Sequence, residues 1–163
     1  MTGEANVMVR RLIAHAMLVL IIGLVAGVLL TFSLLGEVAL WPLPAIDWQI
    51  FGSTRGWQAA HVGGILNAVM LVALAWALNW LNVSGRALLW AGWGLVYTGW
   101  GNTVFYWAGN LAGNRGLSVT DTVFGAGDLM GALSYFGGAS AMFATFIAVI
   151  ILARTALRGE SLD

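Results

Sequence analysis

Among its 163 residues the chain has no cysteine and no lysine, only two prolines and two histidines, and just 9% charged residues. Without cysteine there are no disulfides, no thiolate metal sites and no cysteine nucleophile. Without lysine, seven arginines face seven acidic residues and the net charge is zero. No basic run exists, which argues against nucleic acid as a partner. The scarcity of charge also excludes an ordinary soluble domain, which carries roughly a quarter charged residues.

What fills the chain instead is apolar surface: 60% of residues are hydrophobic and the mean hydropathy is +0.88. A helix crosses a bilayer with about 20 apolar residues, and four stretches reach that length: Leu12–Leu35, Trp57–Trp80, Ala87–Gly109 and Asp128–Ala153. Backbone groups must be paired in lipid, so each stretch is expected to be helical. The first is longer than a secretory signal's apolar core of about 7–15 residues and lacks a convincing small-residue cleavage site, so it reads as a mature helix. The expectation is an all-α integral membrane protein, a single domain over residues 1–163 built as a four-transmembrane-helix bundle.

Between the stretches, residues 36–56 carry Trp41-Pro42-Leu43-Pro44, Asp47 and Gly52-Ser53, and residues 110–127 carry Asn114-Arg115-Gly116. Both are loop chemistry. The link around Asn82–Gly85 is short and makes the second and third helices antiparallel neighbours. Arg10, Arg11, Arg86, Arg154 and Arg158 fall on one side of the bundle, and Arg55 and Arg115 on the other. The positive-inside rule then puts both termini in the cytoplasm and the long loops outside. Trp76, Trp80 and Trp90 are expected to mark the inner interface, and Trp57 and Trp107 the outer one. Gly23 and Gly27, and the stripe Gly127, Gly131, Ser134 and Gly138, suit close helix packing.

Polar residues inside spans are costly, so they are paired or functional. His61 and Asn67 lie on the second helix, Asn102 and Tyr106 on the third, and His15 on the first. A neutral imidazole can ligate a metal or haem iron, act as acid or base, or hydrogen-bond within the bundle. Gly63 and Gly64 beside His61 leave room for a flat macrocycle against the backbone, and equally for plain helix packing. His15 and His61 sit at opposite ends of their helices, too far apart to hold one iron together. A haem on His61 would keep an open position, as substrate activation requires and electron transfer usually does not. Asp128 is placed to cap the fourth helix.

The segment from Gly56 to Asn67, GWQAAHVGGILN, resembles styrene oxide isomerases, as does Gly99 to Tyr106, GWGNTVFY. Asn114-Arg115-Gly116-Leu117 and Phe124-Gly125-Ala126-Gly127-Asp128 are similar to the same family in order and spacing. The resemblance covers nearly the whole chain. It implies a bacterial inner-membrane isomerase that converts aryl epoxides to aldehydes, styrene oxide to phenylacetaldehyde, by a redox-neutral Meinwald rearrangement. It further implies a homotrimer in membrane lipid with ferric haem b between protomers. By position, His61 becomes the axial haem ligand, and Tyr106 and Asn67 the catalytic side chains. Asn102 joins this pocket on its helical spacing from Tyr106. Arg55 and Arg115 are candidates for pairing with haem propionates, against an ordinary solvated surface role. The rival expectation is a haem-binding membrane anchor or electron-transfer subunit, and a further one is a structural or transport protein whose His61 binds nothing.

Overall fold

A computed structural model describes residues 3–159, which form four long helices: α1 (Gly3–Leu35), α2 (Thr54–Trp80), α3 (Gly85–Leu111) and α4 (Leu129–Gly159). The only bridges between extended backbones in the described residues are two isolated pairs, Val38 with Ile46 and Thr122 with Gly125. All four expected helices are present and the fold is all-α. Their ends run past the apolar stretches, to Gly3 in α1 and Gly159 in α4. The apolar stretch marks only the part that meets hydrocarbon; the polar turns carrying Arg10, Arg11, Arg154 and Arg158 remain helical beyond it.

Three helices are long and apolar enough to cross a membrane by composition: α1 from Ala5, α2 and α4. Helix α3 matches α2 in length at 27 residues, about 40 Å at 1.5 Å per residue. Its composition is diluted by glycine, asparagine, tyrosine and tryptophan. Helix α3 packs on all three other helices, most extensively on α4, and it too leaves Leu89, Trp90 and Val104 exposed. The lipid-facing surface is plain on the other helices: Leu24, Val28, Leu66, Phe136, Phe143 and Phe146 are at least half exposed. A soluble protein does not leave so continuous an apolar surface open to water. This is a membrane protein.

The helices pair as α1 with α2 and α3 with α4. Glycines set both approaches. A Cβ on Gly64 would lie 2.6 Å from the Gly23 Cα, and one on Gly101 would lie 2.9 Å from the Gly137 carbonyl oxygen. Tyr97 and Ser140 hydroxyls join α3 to α4 at 2.7 Å. One core of Leu12, Val19, Leu71, Leu78, Leu88 and Leu95 fills the end where α1 begins and α4 ends. The long-loop end has a smaller core around Ala26, Trp57 and Ala60. The candidate site lies at this second end, where small residues and polar groups replace leucines.

Trp57 is not the interface anchor expected from the sequence. It is fully buried, its Nε1–H donates to the Phe51 carbonyl at 2.8 Å, and its ring packs edge-on against Phe51 and Trp107. The 36–53 loop folds back over the start of α2, so the tryptophan is covered. Trp76, Trp80 and Trp90 are about two-thirds exposed, with Trp76 stacked on Trp80, as an interfacial belt requires.

Candidate functional site

His61 leaves α2 toward α1. Its Nδ1 lies 2.9 Å from the Gly23 carbonyl oxygen. A carbonyl only accepts, so Nδ1 carries the proton and donates, and in the neutral ring Nε2 keeps its lone pair. Gly27 makes the seat for the ring: a Cβ there would fall 2.6 Å from Nδ1 and 2.7 Å from Cε1. An imidazole fixed through Nδ1–H on a backbone carbonyl, with Nε2 free, is the usual preparation of a histidine for a metal. The residues therefore fit a haem iron on Nε2 of His61.

His15 is prepared in the opposite sense. The Trp100 indole N–H donates to its Nδ1 at 3.1 Å, with the two rings edge-on, so the nitrogen that faces α3 is an acceptor already in use. From His15 to Gly23 and Gly27 is eight to twelve residues of α1, about 12–18 Å along the axis. That is half a bilayer rather than most of one, as the sequence suggests, because His15 lies nearer the middle of α1. Two metal–nitrogen bonds of about 2 Å each still cannot bridge it.

On the far side of α2, Gly63, Asn67, Asn102 and Tyr106 come together. The Tyr106 ring lies on Gly63, where a Cβ would be 2.3 Å from Cε2. Asn67 is buried and its Nδ2 donates to the Gly63 carbonyl at 2.8 Å. That leaves its Oδ1 to accept from Asn102 Nδ2, also at 2.8 Å. The carbonyl at one end fixes both amide orientations and leaves Asn102 Oδ1 as the unused acceptor. Glycines 63 and 64 are thus not a bare strip for a macrocycle. Gly63 is covered by Tyr106 and Gly64 by the Gly23 backbone, since each suits the close approach of a helix neighbour.

Two cavities meet at Tyr106. One, of about 300 Å³ between α3 and α4, is lined by Asn102, Phe105, Tyr106, Leu117, Tyr135 and Met142 among others. The second, of about 400 Å³, opens toward the long loops and includes Arg55, Asn110, Arg115 and Phe124. Asn67 stands behind Asn102 and lines neither. His61 lines neither as well: its side chain and the Tyr106 face lie on different sides of α2.

The loop of residues 112–128 closes this end through a polar knot that the sequence does not announce. The fully buried Asn114 donates from Nδ2 to the Ser118 and Thr120 carbonyls and accepts from the Gly116 N–H. Arg115 beside it has φ 62°, and its guanidinium lies 4.4 Å over the Phe124 ring. Asp128 precedes α4 and accepts from the N–H groups of Gly113 at 2.8 Å and Gly131 at 2.6 Å. The Gly113 bond first, then the Gly131 bond, holds its carboxyl below the ordinary value of 3.8. The capping role expected of Asp128 is present. The small-residue stripe of α4 has a use too: Gly131 admits the Asn114 side chain, Ser134 donates to the Phe105 carbonyl, and Gly138 seats the Phe105 ring.

The sequence pattern of the styrene oxide isomerase family matches residues 8–157, which span every residue of both clusters. A styrene-oxide isomerase of Pseudomonas fluorescens is 33% identical over 132 residues, covering 77% of this chain and 74% of that protein. The chain therefore belongs to the styrene oxide isomerase family and is an epoxide isomerase.

Proposed function

We propose that the protein rearranges aryl epoxides, styrene oxide among them, to aldehydes without net oxidation or reduction, with ferric haem b held on Nε2 of His61. The observation that carries the haem part is the fixed Nδ1–H of His61 on the Gly23 carbonyl, which leaves one ring nitrogen free and aimed by the fold. When bound, ferric haem supplies a Lewis acid for the epoxide oxygen.

The chain's own residues supply position and dryness. The Tyr106 hydroxyl makes no hydrogen bond within the described residues and stands at the junction of the two cavities, free to hold a polar oxygen. Asn67 fixes Asn102, which lines the same wall. Its spare oxygen only accepts and so leaves the epoxide oxygen to the Tyr106 hydroxyl, while the fixed wall sets the substrate's orientation and hence which substituent migrates. Phe105, Leu117, Tyr135 and Met142 exclude the water that would trap a benzylic cation as a diol during the 1,2-hydride shift.

His61 and Tyr106 are divided by α2 within one chain. That division supports haem shared between copies in membrane lipid, the cavity of one copy facing the haem of another, and the resemblance to the family makes that assembly a homotrimer. The arginine distribution, five at the end where α1 begins and α4 ends and two at the other, supports a bacterial inner-membrane protein with both termini in the cytoplasm.

The test is an anaerobic assay of the detergent-purified chain with styrene oxide and no reductant, alongside its visible spectrum. Phenylacetaldehyde formation with a Soret band is expected. A Soret band without aldehyde would return the protein to the membrane-anchor or electron-transfer reading. Aldehyde formed by haem-free protein would remove haem from the reaction.

A further inference from the structure

The cavity of about 400 Å³ at the long-loop end has features that holding an epoxide does not require. Arg55 and Arg115 both line it, from separate parts of the chain, together with Phe105, Tyr106 and Phe124. No acidic side chain lines it, and neither arginine has an ion pair among the described residues. Arg115 is held by its stacking on Phe124, at a left-handed backbone angle that a side chain adopts only where its surroundings enforce it. Its charge is therefore fixed in place without a counter-ion. Asn110, also on the lining, spends its Oδ1 on the Ser53 N–H and hydroxyl, so that oxygen presents no competing acceptor to the arginines. Surplus cationic donors beside three aromatic rings describe a site for an anion carried on a flat apolar frame.

We infer that this cavity binds a carboxylate borne on an aromatic or conjugated frame, through Arg55 and Arg115, directly against Tyr106. Two sources carry that chemistry: a free aryl acid, such as the acid formed when an aryl aldehyde is oxidised, and a haem propionate. Planar guanidinium groups match either carboxylate. A free aryl acid here would crowd Tyr106 and so compete with the epoxide. The propionate source rests on the haem reading above, whereas the aryl-acid source does not.

The experiment uses the purified full chain in detergent and reads ligand binding by saturation-transfer NMR, independent of turnover. Phenylacetate and its uncharged analogue phenylacetamide are titrated into wild type, Arg55→Gln and Arg115→Gln. If the free acid is the ligand, wild type prefers phenylacetate by roughly tenfold or more, and both variants lose the preference. If haem supplies the carboxylate, the loaded protein ignores phenylacetate. Haem-depleted wild type then takes up haem roughly tenfold more tightly than haem dimethyl ester by Soret titration, and the variants bind the two alike. Arg55→Gln, in the exposed first turn of α2, keeps the test alive should Arg115→Gln unfold. Two results overturn the inference. One is the absence of any arginine-dependent preference for a carboxylate in both arms. The other is displacement of phenylacetate by inorganic phosphate at equal concentration, which would mean the arginines read charge alone. Failure of the isomerase reading shows separately, as absence of aldehyde.

Discussion

Replacing Gly27 with alanine separates the preparation of His61 from the packing of the bundle. The added Cβ would sit 2.6 Å from Nδ1 and 2.7 Å from Cε1 of the imidazole, about 1 Å inside the usual contact distance of 3.5–4.0 Å. A side-chain ring can retreat by that amount. Doing so stretches the 2.9 Å bond to the Gly23 carbonyl beyond hydrogen-bonding range. The loss costs about 0.5–1.5 kcal/mol of stability, and a freed, mis-aimed ligand lowers metal affinity by roughly 10–100-fold. Gly64→Ala makes the contrast, because its Cβ would meet the Gly23 Cα at 2.6 Å and only backbone could move. That variant should splay α1 from α2 and lose at least about 1–3 kcal/mol. The assays are Soret titration of haem-depleted protein, thermal unfolding by circular dichroism, and ¹⁵N chemical shifts of the imidazole. Gly27→Ala should bind haem weakly and lose the fixed Nδ1–H signature while melting near wild type. A haem titration midpoint equal to wild type would refute the reasoning, since the Gly23 carbonyl would then have no hold over the ligand.

Tyr106→Phe removes a hydroxyl that bonds to nothing in the described residues, so stability should change by less than about 0.5 kcal/mol while kcat with styrene oxide falls; equal losses of both would make Tyr106 a packing residue. Asn102→Ala strands the buried Oδ1 of Asn67, at about 1–3 kcal/mol, and thermal unfolding in detergent reads this directly. Asp128 titrates below 3.8 when folded because the Gly113 and Gly131 N–H groups favour its charged form. A lowered folded value means the carboxylate's contribution is complete above 3.8 and fades as pH falls through the folded value. Asp128→Asn should flatten that acid limb of the melting-temperature profile, and an unchanged limb would assign it to other groups.

The extent to which the sequence disclosed this protein follows from how far each signal reaches. Long apolar runs report a bilayer-sized burial that no local detail can alter, so all four helices were legible. Helix α3 was the weakest of them by composition, since its glycines serve three neighbouring helices and its polar and aromatic residues dilute the apolar run. The runs say nothing of where helices end, because arginine-bearing turns stay helical in water. Trp57 was misplaced for a related reason: a tryptophan at a span's edge looks alike whether it faces headgroups or lies under its own loop. Only the fold-back of residues 36–53, which takes Phe51 to its indole, distinguishes the two.

The site shows the sharper limit. Periodicity could place Asn102 and Tyr106 on one face, and it could place His61 and Asn67 on different faces of α2. It could not say which neighbour each face meets, which depends on how α1 and α3 flank α2. The structure answers this through glycines. Gly23 and Gly27 bring α1 onto the His61 side, and Gly63 brings Tyr106 onto the other. A glycine in a sequence signals that something comes close without naming it. Here the same GG pair that suggested room for a cofactor is filled on both sides by the chain itself. The free nitrogen of His61 and the free hydroxyl of Tyr106 therefore cannot meet across their own helix. That separation is what supports the proposed sharing of haem between copies, and for that reason the haem titrations of Gly27→Ala and of the arginine variants bear on assembly as much as on ligation.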